Sequence, residues 1–154
     1  MRAALFLAFA LAFASAAGAA NTDPTEAWRP MFSFIGSWKG TRAGVAGPVK
    51  VTRVYASSPT NHHLEITEKG AGPAAVWGMV SFDAQREVLV LRHFAPDGTT
   101  SDATFDAARS TPDQLVFAGP DARITYERAG WKSFVERVEV SGALVSETRF
   151  VRKD

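Results

Sequence analysis

Residues 34–40 read Phe-Ile-Gly-Ser-Trp-Lys-Gly, and the chain changes character at this stretch. Before it, residues 24–35 predict a short helix, with Asp23 as N-cap and Pro24 at the first helical position. Pro30 interrupts this helix, so we expect only one or two turns. After it, short segments with the composition of β-strands follow one another to the end of the chain.

These segments are rich in Val, Ile, Thr, Phe, Tyr and Trp, and each is bounded by Gly, Pro, Asn or Asp. They are residues 37–45, 49–57, 63–69, 75–82, 87–94, 100–107, 114–118, 123–128, 133–140 and 143–152. Strands joined by such short turns are normally antiparallel neighbours, and no connection could hold a crossover helix. Closure would remove the open edges of so long a meander. The sequence therefore predicts an all-β fold, a single up-and-down antiparallel barrel of about ten strands, with a two-sheet sandwich as the alternative.

The start of the chain has the features of a secretory signal peptide. Arg2 precedes an apolar stretch at 3–14, and the small residues at 15–20 form an A-x-A-like cleavage site. This stretch is too short and too rich in alanine for a membrane-spanning helix, and no later apolar run reaches that length. We expect cleavage at or just after Ala19 or Ala20, and a periplasmic or secreted protein. The predicted division is a signal peptide at 1–20, an N-terminal segment at 21–36 and a barrel at 37–154.

Composition excludes several classes of function. The 17 basic and 16 acidic residues are interspersed, so the sequence offers no cationic stripe for nucleic acid and no polybasic tail for anionic lipid. The absence of cysteine excludes disulfides, thiolate metal sites and a cysteine nucleophile. No G-x-S-x-G, H-E-x-x-H, P-loop or dinucleotide-binding motif is present, so no catalytic residue, metal or cofactor is predicted. Nothing in the pattern specifies an oligomeric state.

His93 is the first candidate for a role in a binding site. Strand alternation places it on the same face as Leu89 and Leu91, while Arg92 takes the opposite face. If that face lines the barrel lumen, the imidazole is a polar group in an apolar cavity and could orient a ligand. The alternative is a histidine that is hydrogen-bonded at the barrel rim.

Aromatic residues occur on most of the predicted strands, as an ordinary barrel core requires. Trp77 and Met79 share a face, and methionine adapts well to a cavity, so this pair is predicted to form a pocket wall. The predicted ligand-binding residues are Trp77, Met79, Leu91, His93 and Tyr126.

Other polar residues are expected at the surface. His62 and His63 are adjacent, so their side chains point to opposite faces of a strand and do not readily share a metal ion. The acidic side chains of the strands are interpreted as partners in exposed cross-strand ion pairs. They are Glu65, Asp102, Asp106, Glu136 and Glu147.

The stretch Gly36-x-Trp38-x-Gly40, after a short helix, resembles the entrance of calycin barrels, the group that includes lipocalins and fatty-acid-binding proteins. It is most similar to a secreted bacterial family of such barrels whose function is not established. Further support comes from Val76-Trp77-Gly78-Met79 before Phe82-Asp83, from Phe94-Ala95-Pro96-Asp97-Gly98-Thr99, and from Glu147-Thr148-Arg149-Phe150-Val151-Arg152. The resemblance implies that Trp38 closes one barrel end under an arginine of the last strand. The implied closure residues are Gly36, Trp38, Gly40, Arg149 and Arg152.

The fold-level resemblance implies non-enzymatic binding of a small hydrophobic or amphipathic ligand in the lumen. A barrel with a filled lumen and a structural or interaction role is the alternative. An enzyme that uses His93 with a nearby carboxylate is a third hypothesis. No nucleic acid is expected as a partner.

The nitrobindin-like haem barrels are a more distant resemblance and a second alternative function. Their opening motif is G-x-W-x-G-x-G-x-G-x-x-P, and this chain matches it at Gly36, Trp38, Gly40 and Gly44. Arg42 stands at a glycine position, however, and Pro48 falls one residue late. That branch also binds haem iron through a histidine near its C-terminus, whereas no histidine follows His93 here.

Overall fold

A computed structural model describes residues 24–43, 47–59, 63–70, 77–95 and 97–154. These residues form one helix, α1 (Pro24–Phe32), and ten strands. The strands are β1 (Gly36–Arg42), β2 (Val49–Ser57), β3 (His63–Gly70), β4 (Trp77–Asp83), β5 (Val88–Phe94), β6 (Thr100–Phe105), β7 (Gln114–Ala118), β8 (Ala122–Gly130), β9 (Ser133–Val140) and β10 (Ala143–Arg152). Several predictions lie outside the described residues: the leader, the cap Asp23, Gly44, His62 and the first residues of the predicted fourth strand.

Every strand pairs in antiparallel fashion with the next along the chain, and β1 pairs with β10 to close the barrel. The predicted fold class is therefore confirmed, and the sandwich alternative is wrong. The turns follow the local chemistry. Between β9 and β10, Ser141 and Gly142 have φ of 51° and 80°, the backbone that a two-residue hairpin turn requires.

The helix is longer than expected and continues past Pro30 to Phe32. Proline removes one hydrogen bond from the helix, but Trp28 and Met31 are buried in the barrel core and hold the last turn in place. Two predicted strands are also shorter at one end. Glu87 adopts a positive φ of 51° and belongs to the β4–β5 turn, and β6 ends at Phe105.

The barrel has two unlike halves. At the end covered by α1, called the closed half, Phe34 enters the lumen and its ring lies 4.9 to 5.9 Å from the rings of Tyr55, Tyr126 and Phe134. Phe150 stacks on Phe134 at 4.7 Å. These buried rings fill the closed half, whose packing is that of an ordinary protein core. The other end, between the β5–β6 and β9–β10 turns, is the open half.

Candidate functional site

Four charged side chains meet in the lumen, between the aromatic core and the open half. They are Arg42 at the end of β1, Arg53 on β2, Glu68 on β3 and Glu136 on β9, and we call them the polar floor. Arg53 and Glu68 are direct cross-strand neighbours. Strand alternation explains their inward position, because each buried charge is in phase with buried apolar residues of its own strand.

Arg53 is the centre of the polar floor. Its Nε and Nη2 donate to Glu68 Oε2 at 2.9 and 2.7 Å, and its Nη2 also donates to Glu136 Oε1 at 2.9 Å. Its Nη1 donates to Glu136 Oε2 and, at 3.1 Å, to the hydroxyl of Tyr55. These five hydrogen bonds equal the number of N–H groups on a guanidinium. The flat face of Arg53 lies 4.6 Å from the centre of the Phe150 ring, so the whole group is satisfied without water.

The pKa values reflect this burial and pairing. Burial alone would raise the pKa of Glu136, but the charge and hydrogen bonds of Arg53 outweigh it and hold the pKa below its ordinary value. Burial opposes the charge of Arg53 too, yet Glu136 raises the pKa of Arg53 well above its usual range. Burial also raises the pKa of Tyr55 to about 12. Arg53 and Glu136 are thus a charged pair at neutral pH.

Arg42 is the member of the floor that reaches the open half. Its Nε donates to Thr148 Oγ1 at 3.0 Å, and its Nη2 donates to Glu68 Oε1 at 2.6 Å. The side chain is still 27% exposed. Arg42 therefore has a fixed direction and keeps N–H groups without a partner among the described residues, whereas Arg53 has neither exposure nor spare donors.

A cavity of about 490 Å³ lies above the polar floor in the open half. Arg42, Arg53 and Glu136 form its base, and the walls combine apolar and hydroxyl side chains. The wall and rim residues are Ala43, His93, Phe94, Ala95, Thr99, Thr100, Ser101, Val138, Val145 and Ser146. The volume and this mixture of surfaces are typical of small-molecule sites.

His93 lines this cavity, in phase with the buried Leu89 and Leu91 of the same strand. Its cross-strand neighbour is Gly78, where an added Cβ would lie 2.7 Å from the backbone carbonyl oxygen of Arg92 and 2.9 Å from the imidazole Cδ2, so glycine is needed for this close approach. Within the described residues the imidazole makes no hydrogen bond, so the alternative of a histidine that is hydrogen-bonded at the barrel rim gains no support. Burial lowers the pKa of His93 below its ordinary value of 6.5, and Arg53 adds to that effect, while Glu136 and Glu68 oppose it. The ring is accordingly neutral at neutral pH.

The other predicted ligand-binding residues do not line the cavity. Trp77 is 45% exposed on the outer face of β4, where its ring lies 4.2 Å from that of Phe94, and Met79 shares that outer face. The prediction that Trp77 and Met79 form a pocket wall is therefore wrong, because Gly78 and Val80 face the lumen instead. Leu91 is buried in the core.

Tyr126 is buried in the closed half, away from the cavity. Its hydroxyl makes no well-aligned hydrogen bond within the described residues, although it lies close enough to Tyr55 for the two hydroxyls to influence each other's pKa. Burial raises the pKa of Tyr126 well above its usual value. The ring acts as core packing in this position.

The structure brings together most of the implied closure residues. Trp38 donates from its indole nitrogen to the carbonyl of Phe34 at 2.7 Å, and the Arg152 guanidinium lies 5.3 Å from the indole ring centre. Arg152 Nη2 donates to the carbonyl of Ile35 at 2.7 Å. Arg149 instead lies on the outer face, 73% exposed, and pairs with Glu147. It takes no part in closure, because alternation along β10 turns it away from the lumen.

The two glycines of this stretch give space to different neighbours. An added Cβ at Gly40 would lie 2.7 Å from the Phe150 ring and 2.6 Å from Val51, so glycine is needed for close packing. Gly36 has a φ of 132°, which disfavours other residues, and a Cβ there would meet the Arg152 guanidinium at 3.0 Å.

Four of the five acidic residues predicted in exposed pairs lie at the surface, and one lies in the lumen. Asp102 pairs with the outward Arg92, Asp106 and Glu147 also lie in ion pairs at the surface, and Glu65 Oε1 lies 3.4 Å from His63 Nε2 there. Glu136 is the exception, since it is buried against Arg53. The expectation that Glu136 forms an exposed pair is thus wrong.

Within the described residues, no three acidic or histidine side chains converge as ligands for a metal ion. No helix in that part of the chain has the length and apolar character needed to span a membrane.

No protein-family model matches the chain, and comparison with curated proteins gives no significant match. Among solved structures, one that is similar is a de novo designed fluorescence-activating β-barrel. The identity is 16%, the alignment covers 79% of this chain and 94% of the designed chain, and the TM-score is 0.42.

Proposed function

We propose that this protein binds a small amphipathic molecule in the open half of its barrel, without catalysing a reaction. The observation that carries the proposal is the cavity of about 490 Å³, which combines a charged floor with partly apolar walls. Small-molecule sites commonly have volumes of roughly 300–1,000 Å³ and a few polar groups on an apolar surface.

The filled-lumen alternative describes only the closed half. There the rings around Phe34 occupy the lumen and leave a core without a site. In the open half the side chains stop at Arg53 and Glu136, and the space above them exceeds the roughly 300 Å³ below which a drug-sized site is not expected. The geometry therefore favours a binding protein over a purely structural barrel.

Catalysis is less well supported than binding. Glu136 lies close enough to His93 to interact with its charge, so an acid and a base do share the cavity. However, both oxygens of Glu136 accept hydrogen bonds from Arg53, and its pKa is lowered, so the carboxylate is a weak base. His93 has no second group to orient it as a base within the described residues.

We further propose that the chain is a calycin-like protein exported to the periplasm or secreted. The leader at 1–20 and the Gly36-x-Trp38-x-Gly40 entrance support this proposal. Mass measurement of protein recovered from the periplasm should give a chain that begins near Ala20 or Asn21. An intact Met1 in that fraction, or protein only in the cytoplasm, would contradict export.

The binding function is tested with Nile red, a neutral apolar dye, and a variant that fills the cavity. Val138→Trp places a large side chain in the cavity wall and should weaken dye affinity at least tenfold. Val151→Trp makes the same change on the exposed outer face of β10 and should leave affinity unchanged. The measurement is a fluorescence titration, with thermal melts to show that both variants fold. Equal affinity in all three proteins would contradict the proposal.

The same purified protein should first be checked for a retained molecule by native mass spectrometry and an absorption spectrum. A retained small amphipathic species supports the proposal. A haem Soret band would instead favour the haem-binding alternative, with His93 as the cavity-lining histidine available to iron among the described residues.

A further inference from the structure

A second cavity lies in the closed half of the barrel, where α1 meets the connection between β6 and β7 (residues 106–113). Its volume is about 430 Å³, and we call it the side cavity. In the described barrel, β6 and β7 pair only through Thr104 with Ala118 and Phe105 with Phe117. The chain therefore leaves the sheet after Phe105, and the side cavity lies between this connection, α1 and the end of β8.

The side cavity is separate from the cavity above the polar floor. The two share no lining residue. Packed rings of the closed half lie between them, with the Phe34 and Phe117 rings 5.5 and 6.1 Å from the ring of Tyr126. A molecule in one cavity therefore does not contact a molecule in the other, and each cavity can be tested by itself.

The walls of the side cavity are mainly apolar. Leu115 is buried, and the half-buried Phe105 packs against the core. Pro30 and Pro112 contribute their rings from α1 and from the connection. Proline has no side-chain freedom to lose on binding, and a phenylalanine ring favours offset or edge-on contact with another ring. These walls therefore suit a flat aromatic molecule.

Two arginines, Arg29 and Arg128, give the lining of the side cavity a positive charge, and no acidic side chain lines it within the described residues. The guanidinium of Arg128 is exposed and makes no hydrogen bond or ion pair in the described part of the chain. Its backbone N–H donates to the carbonyl of Asp113 at 2.8 Å, which holds the end of β8 against the connection. In the polar floor, by contrast, every arginine donates to a carboxylate.

From these placements we infer that the side cavity is a second binding site, and that its ligand is an aromatic monoanion. The ring of the ligand lies against Pro30, Pro112 and Phe105, and its anionic group pairs with Arg128 and Arg29. A guanidinium suits both parts of such a molecule, because it donates to a planar anion and also stacks on aromatic faces. A cation would be repelled by two like charges. This inference does not depend on the function proposed for the open half, since no residue of that cavity takes part.

The test uses three probes with one ring system, naphthalene-2-sulfonate, naphthalene-2-sulfonamide and 2-naphthylmethylammonium, titrated calorimetrically into the full-length mature protein. The sulfonate should bind at least about fivefold more tightly than the neutral sulfonamide, as a charge-assisted hydrogen bond predicts, and the ammonium probe should bind least tightly. Arg128→Gln and Arg29→Gln should each reduce this preference. Arg86→Gln removes another exposed arginine, one that pairs with Asp83, and is the control that should leave the preference unchanged.

A pair of neighbouring alanines locates the site. Ala107 and Ala108 are both exposed in the connection, but only Ala107 lines the side cavity. Ala107→Trp should block naphthalene-2-sulfonate and leave Nile red affinity unchanged, whereas Ala108→Trp should affect neither probe. Val138→Trp, which fills the cavity of the open half, should weaken Nile red and leave the sulfonate unaffected. Thermal melts verify that each variant folds.

Three results would overturn the inference: equal affinity for the sulfonate and the sulfonamide, an unchanged preference in Arg128→Gln, or loss of sulfonate binding in Val138→Trp but not in Ala107→Trp. Absence of sulfonate binding at millimolar concentration would also overturn it. Each of these results leaves the proposed binding in the open half standing, because Nile red reports on that cavity. Loss of Nile red binding with a normal sulfonate titration would have the opposite meaning.

Discussion

Arg53 is the residue on which the interior electrostatics depend. It holds two carboxylates, Glu68 and Glu136, in a region where an unpaired charge would be costly. A buried ion pair adds little stability over an apolar pair of the same shape, but removing one partner leaves the others uncompensated. The buried charges at the base of the cavity therefore depend on one another for compensation.

We predict that Arg53→Met lowers the free energy of unfolding by about 3–5 kcal/mol, since two buried carboxylates lose their main donor. Arg92→Met is the matched control, because Arg92 and Asp102 form an exposed pair whose loss should cost less than about 1 kcal/mol. Urea denaturation measures both. Similar losses in the two variants would mean that the floor is solvated like a surface pair.

The buried charges are detectable from the sequence, because they alternate in phase with apolar residues of the same strands. Glu68 alternates with Leu64 and Ile66, and Glu136 alternates with Phe134 and Val138. Such a phase predicts an inward charge, which needs a partner on a neighbouring strand. The partner itself was not predictable without the register that places Arg53 beside Glu68.

At the level of elements, turn residues determined the strands. Gly, Pro, Asn and Asp between short apolar segments correctly predicted ten strands in a meander, since each turn type limits the chain to an antiparallel return. The face of β4 could not be predicted in the same way. Its two faces carry Trp77 and Met79 or Gly78 and Val80, and the choice depends on the close approach of Gly78 to the Arg92 carbonyl and the His93 ring across the sheet.

The entrance of β1 provides a prediction at this scale. Trp38→Ala removes an indole that packs edge-on against Phe134 at 4.8 Å and donates to the Phe34 carbonyl. We expect a loss of about 3–5 kcal/mol in the free energy of unfolding. Trp131→Ala, in the β8–β9 turn, removes a tryptophan that is 80% exposed and should change stability by less than about 0.5 kcal/mol.

Nile red binding distinguishes a role of Trp38 in closing the barrel from a role in the pocket. Trp38 lies in the closed half, so the folded fraction of Trp38→Ala should bind Nile red with the affinity of the unaltered protein. Lost dye affinity at an unchanged melting temperature would show that Trp38 belongs to the pocket instead.

At the scale of the whole molecule, the two halves of the barrel are packed differently along its axis. The closed half, capped by α1 and filled by aromatic rings, supplies stability, while the open half leaves a cavity above a layer of paired charges. Sequence patterning predicted the barrel and placed His93 on one face with Leu89 and Leu91. The sequence could not show where the packed core ends and the cavity begins, because that boundary depends on which inward side chains meet across the lumen.

The central claim, that the open half binds a small molecule above the polar floor, is tested most directly by amide and side-chain NMR of the protein titrated with octanoate. We predict shift changes confined to the cavity, at His93, Ser101, Val138 and Ser146, with the indole signals of Trp38 and Trp131 unmoved. Changes centred on the closed half or on the outer surface, or none at millimolar octanoate, would contradict the claim.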